Sequence, residues 1–145
     1  MNKTKFIVIL LVGLFLSACI SGEQDGITVE DIWGRPAPMS ATNAAFYMVI
    51  KNQGQEQDAL VEASIDICDA TELHMSSIDD EGVMSMHQVQ QVDVPAGENT
   101  DLEPGGLHIM CIGRQADLNP GDSVPISLSF TRAGEIIVEA HIKEQ

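Results

Sequence analysis

The sequence predicts an all-β fold, an antiparallel sandwich or barrel. Three observations carry this. Apolar and polar residues alternate at period two in several runs, as strands with one buried face require. Turn-forming clusters rich in Gly, Pro, Asn and Asp separate those runs. No stretch carries a long apolar stripe at the helical period of about 3.6 residues. The chain of 145 residues suits one domain rather than two, and it contains no internal repeat or low-complexity tract.

In chain order, the N-terminus reads first as a processing signal. Lys3 and Lys5 precede an apolar run over residues 6–16, too short to cross a bilayer core. Leu16-Ser17-Ala18-Cys19 follows and resembles a bacterial lipobox. This assigns residues 1–18 to a lipoprotein signal peptide, Cys19 to lipidation and 19–26 to a tether. The competing reading is an ordinary signal peptide in which Cys19 is incidental. Residues 27–145 then form an exported domain held at a membrane surface by its lipid, without a spanning helix.

Within that domain, strands are expected near 27–33, 44–51, 59–65, 70–75, 83–89, 91–94, 99–103, 107–112, 123–131 and 135–142. Phe46, Met48 and Ile50 alternate with Ala45, Tyr47 and Val49. Val124, Ile126, Leu128 and Phe130 alternate with Pro125, Ser127, Ser129 and Thr131. Ile136, Val138, Ala140 and Ile142 repeat the pattern. Turns fall at Asn52-Gln53-Gly54, Pro95-Ala96-Gly97, Pro104-Gly105-Gly106, Asn119-Pro120-Gly121-Asp122 and Ala133-Gly134.

Charge excludes some functions. The chain has 22 acidic and 7 basic side chains and a formal net charge of −15. Loss of residues 1–18 removes Lys3 and Lys5 and leaves −17. Such a body repels phosphate backbones, so no nucleic-acid partner is expected. A hydrophobic content of 44% argues against disorder. No Ser-His-Asp order, paired acid set or CxxC pair suggests an enzyme.

The residues able to bind a soft metal are concentrated. His74-Met75, Met84, Met86-His87 and His108-Ile109-Met110 lie within 37 residues. On a strand, His108 and Met110 leave the same face, with Cα atoms roughly 6.5–7 Å apart. Leu107, Ile109 and Cys111 then face the core. Glu72 and His74 share a face opposite Leu73 and Met75. Met84 shares a face with Met86, but taken alone it reads as a core filler. Thioether sulfur is neutral and soft and suits Cu(I), whereas imidazole binds copper in either oxidation state. A set of two His and two Met would hold Cu(I) without a thiolate that oxygen could destroy.

The same residues resemble the motif of the PCu(A)C-type periplasmic copper chaperones, H(M)x10Mx21HxM. It reads here as His74-Met75, ten residues, Met86, twenty-one residues, His108-Ile109-Met110. The likeness extends over about 27–142, through Trp33-Gly34-Arg35, Phe46-Tyr47, Glu72-Leu73-His74, Pro95-Ala96-Gly97 and Pro104-Gly105-Gly106. It implies a cupredoxin-like β-barrel with one Cu(I) between His74, Met86, His108 and Met110. It also implies delivery of copper to an extracytoplasmic acceptor such as cytochrome oxidase subunit II, with a copper-donating or thiol-reducing assembly factor as a further partner. Met75 belongs to the motif but points away from His74 on a regular strand, so Met75 and Met84 are assigned places beside the site. The C-terminal His- and Met-rich extension of some relatives has no counterpart before Gln145.

Cys68 and Cys111 have two readings. As a disulfide, suited to an oxidising compartment, they would close a loop containing His74 and Met86. As free thiols they could compete for copper. His87 and His141 read as solvent-facing, and Asp79-Asp80-Glu81 as a solvated turn or a local concentrator of cations. Two other functions compete with the carrier. A copper-storage lipoprotein would use the same ligands. An electron-transfer cupredoxin would need a Cys thiolate beside the histidines. Cys111 follows Met110 directly and faces the other way, which argues against that class.

Overall fold

The computed structural model describes residues 26–144. The expected leader, Cys19 and most of the tether lie outside the described residues. All regular structure in the described span is strand: β1 (Ile27–Gly34), β2 (Ala44–Asn52), β3 (Asp58–Ser64), β4 (Cys68–Ile78), β5 (Met84–Gln88), β6 (Val92–Val94), β7 (Asn99–Leu102), β8 (Leu107–Arg114), β9 (Ser123–Phe130) and β10 (Gly134–Ile142). The ten segments expected from alternation are all present. β4 departs most, continuing to Ile78 rather than stopping at Met75.

The strands form one sheet in the order β5-β4-β8-β2-β1-β10-β9-β3-β6. β7 pairs with β2 beyond the end of β8, so β8 and β7 share one edge of β2. The path therefore curls back on itself. β6 lies at its far end, and the Pro95–Glu98 turn returns the chain from β6 to β7 against β2. The expectation of a wholly antiparallel sheet is corrected at one place: β1 and β10 run parallel, with Trp33 opposite His141. Their chain ends are far apart in sequence, so no tight hairpin constrains their direction.

One face of the curled sheet is the core. Phe46, Met48, Ile50, Leu73, Ile109, Cys111, Ile126 and Leu128 are among its buried members. Phe46, Ile50, Ile109, Ile126 and Leu128 have no exposed surface at all. The predicted alternation in β9 and β10 maps directly onto this burial.

Strict alternation along β1 would turn Trp33 to the same side as Ile27 and Val29. A bulge prevents this. The register passes from Glu30↔Val49 to Trp33↔Tyr47, one extra residue on β1, and Asp31 takes a φ of 49°. The extra residue reverses the side-chain parity. Trp33 then lies beside Tyr47 on the face away from the core, and Gly34 sits over Phe46. A Cβ at Gly34 would stand 2.8 Å from the Phe46 ring, so only glycine permits that approach.

Cys68 and Cys111 are joined by a disulfide with Cα atoms 5.5 Å apart. The bond links the start of β4 to the middle of β8 across 43 residues. It removes the free-thiol reading of both cysteines. Replacing both by Ser should lower the unfolding free energy by about 4 kcal/mol, the chain-entropy value for a loop of this size. Denaturant unfolding of the oxidised parent and the double variant checks this, with the m-value reporting any change in the unfolded state.

Candidate metal centre

The β4–β8 ladder builds the site. Its register sets Glu72 opposite Met110, Leu73 opposite Ile109 and His74 opposite His108. Directly opposed residues share a face of the sheet. Leu73 and Ile109 therefore enter the core, while His74, His108, Met110 and Glu72 stand together on the reverse side. The two imidazole rings lie 5.9 Å apart between centroids and meet edge to face. A metal about 2.0 Å from one nitrogen of each ring would lie about 3.2 Å from each centroid, allowing a separation up to about 6.4 Å. The observed spacing fits one ion shared by both rings.

β5 extends the face outward. Among the described residues it pairs only with β4, and it sets Gln88 opposite His74, Met86 opposite Ser76 and Met84 opposite Ile78. Met86 is thus diagonal to His74 on the same side, with β4 between it and His108. Met110 is diagonal to His74 in the other direction. His74 is the middle of the set, flanked by His108 and by the two thioether side chains at opposite corners.

Burial is graded across these positions. His108 is 3% exposed and Met86 48%. Met84 is 63% exposed, which overturns its reading as a core filler. It lies on the site face one row beyond Met86. Met75 takes the other face of β4, opposite His87 and Leu107, and is half-buried. His87 is exposed on that side. His141 is on β10, where its Nδ1 lies 3.1 Å from the Ser123 hydroxyl.

The rings are held by hydrogen bonds. His108 donates from Nδ1 to the Gly106 carbonyl at 3.0 Å. The Nε2 of His74 lies 2.7 Å from a Glu72 carboxylate oxygen. The spacing of two between Glu72 and His74 puts both on one face of a strand, but it does not reveal the bond between them. Asp79 is spent on its own turn: its carboxylate accepts from the backbone N–H of Glu81 and Val83, closing the β4–β5 hairpin.

Tyr47 approaches from β2, its ring 6.3 Å from His108, and Trp33 packs on it at 4.6 Å. Lys143 lies 5.8 Å from the centre of the Trp33 ring. This aromatic wall was not legible as such, because it depends on the bulge in β1. Among the described residues, no three of His, Cys, Asp and Glu gather as a metal cluster. The register places Glu72, Met110 and Met86 on the same face as the histidine pair. The surroundings are anionic: residues 52–113 hold 13 carboxylates and no Lys or Arg.

With this geometry in place, the comparisons are specific. The family described as "Putative lipoprotein LpqE-like" matches residues 27–142. The chain belongs to the LpqE-like family.

The match begins at the first residue of β1 and ends at the last of β10, so the LpqE-like unit is the whole sheet. "Putative lipoprotein Lxx21020" of Leifsonia xyli is 30% identical over 130 residues, covering 88% of this chain and 76% of that protein. Solved structures share the fold. The copper-bound PCuAC domain from PmoF2 is 20% identical with a TM-score of 0.72, covering 85% of this chain and 97% of that domain. Apo-DR1885 from Deinococcus radiodurans is 25% identical with a TM-score of 0.65, covering 100% and 97%. DR1885 in its CuI form is 23% identical with a TM-score of 0.64, covering 89% and 84%. The LpqE-like chain therefore has the cupredoxin-like fold of PCuAC domains.

Burial raises the pKa of Tyr47 above its ordinary 10.0, partly offset by the positive charge of Arg35. The chain has one tyrosine, so its phenolate absorbance reports this residue alone. In an alkaline titration the folded protein should ionise later than the denatured chain. Between the two pKa values the unfolded state has lost a proton that the folded state keeps. Stability should therefore be full below pH 10.0 and fall as pH rises above it.

Proposed function

We propose that this protein is an exported Cu(I) carrier. His74, His108, Met110 and Met86 take one ion and pass it to an extracytoplasmic acceptor. The observation that carries the reading is the pair of directly opposed imidazoles whose remaining neighbours on that face include two thioethers. The donor set is soft, neutral and free of thiolate, which matches Cu(I) better than Zn(II) or a hard cation. The copper-bound PmoF2 domain and CuI-DR1885 support it as folds that carry copper. The disulfide supports a carrier over an electron-transfer cupredoxin, since Cys111 has no thiolate to offer a blue-copper centre.

The acceptor we infer is a copper site of the cytochrome oxidase type, with attachment to a membrane surface through lipidated Cys19. Met86 is the donor most open to an incoming ligand, because it sits on the edge strand and is half exposed. Displacement of Met86 by an acceptor side chain would begin transfer while His74, His108 and Met110 still hold the ion.

Competitive titration with a Cu(I) chelator tests the site. The parent should bind one equivalent. Met110→Leu should keep the fold, since Leu and Met are close in volume, and lose at least about tenfold in affinity. His108→Ala should lose more. Unchanged binding in both variants would defeat the proposal. Affinity should also fall on acidification, because protons compete for imidazole nitrogen and not for thioether sulfur. Stoichiometric loss of copper to a purified oxidase copper domain separates a carrier from a storage protein.

A further inference from the structure

The two histidines are held by opposite nitrogens. His108 donates Nδ1–H to the Gly106 carbonyl at 3.0 Å, a group that can only accept. The proton is therefore on Nδ1, and the lone pair of His108 is on Nε2. His74 is the reverse. Its Nε2 lies 2.7 Å from the Glu72 carboxylate, which when ionised can also only accept. The proton of neutral His74 is then on Nε2 and its lone pair on Nδ1. That Nδ1 is buried and has no hydrogen-bond partner. Buried acceptors are rarely left so in a settled structure. This one belongs to a ring standing 5.9 Å from that of His108.

We infer that Glu72 is a positioning residue: it locks His74 in the Nε2–H tautomer and presents Nδ1 to the metal, so that Cu(I) is met by Nδ1 of His74 and Nε2 of His108. The inference rests on the copper reading above and adds to it the identity of the ligating atoms. The chemistry is that of a carboxylate behind a ligating imidazole, which fixes the ring and raises its basicity. Glu72 stands across the ladder from Met110, so the supporting carboxylate and the His74 ring belong to the same face as the thioether. A partner on Nε2 commits His74 to the nitrogen nearer the backbone. The ion would then lie close to the sheet surface on the β4 side.

Long-range 1H–15N correlation of the 15N-histidine-labelled protein at about pH 8, where free imidazole is neutral, tests this. In the copper-free protein, His74 should show protonated Nε2 and unprotonated Nδ1, and His108 the converse. Addition of Cu(I) should shift Nδ1 of His74 and Nε2 of His108. Glu72→Leu should redistribute the His74 tautomers and weaken Cu(I) binding about 10- to 100-fold, the range found for such supporting carboxylates. Glu72→Gln keeps an acceptor oxygen, so it should restore the tautomer and recover part of the affinity. Copper-induced shifts at Nε2 of both rings, or a Leu variant with unchanged tautomer and affinity, would overturn the assignment alone. Absence of any Cu(I)-induced shift at either ring would instead overturn the copper reading beneath it.

Discussion

The pairing of β4 with β8 is the constraint on which the rest depends. A single register decides the fate of both faces. Leu73 and Ile109 go into the core because they are opposed, and His74 and His108 meet on the other side for the same reason. A slip of one residue would bury the histidines and expose the apolar pair. Burial of Leu73 and Ile109 therefore holds the site in register without help from a metal. The disulfide from Cys68 to Cys111 ties the same two strands together. The placing of His74 beside His108 is thus secured by the core.

The four proposed donors sit on three strands of different security. β8 lies between β4 and β2, and His108 is almost fully buried on it. β4 lies between β8 and β5, and holds His74 at intermediate depth. Among the described residues β5 has one neighbour, and with five residues and no buried side chain it carries Met86. Elements with a single ladder and little buried surface are the first to open. A gradient from buried to exposed positions runs across three adjacent strands, from His108 through His74 to Met86.

Much of this was legible from sequence, for identifiable reasons. Val124, Ile126, Leu128 and Phe130 alternate cleanly because one face of β9 is wet and the other dry. The spacing of His108 and Met110 fixed their common face by strand geometry alone. Pairing between distant strands was not legible. Nothing local to Ile27–Gly34 shows that it runs parallel to β10. The bulge at Asp31 was equally hidden, because a positive φ at a non-glycine residue leaves little mark on composition. With it went the position of Trp33 beside Tyr47. Met84 was misjudged because methionine is common in cores, and its exposure follows from the hairpin projecting past the sheet. Glu72 lay in plain view, but its bond to His74 depends on side-chain orientation, which periodicity does not set.

The stretch from Asn52 to Gly113, with 13 carboxylates and not one lysine or arginine, has a kinetic consequence. Uncompensated charge of one sign projects a field beyond the molecular surface, screened over about 8 Å at physiological ionic strength. Cationic proteins and free cations accumulate beside this stretch, which includes β4, β5 and most of β8, and anionic surfaces are turned away. Such a field acts mainly on the speed of encounter rather than on the lifetime of the complex. Collisions with a lysine-rich collar are hastened in dilute salt and slowed in brine, whatever passes between the two molecules once they touch.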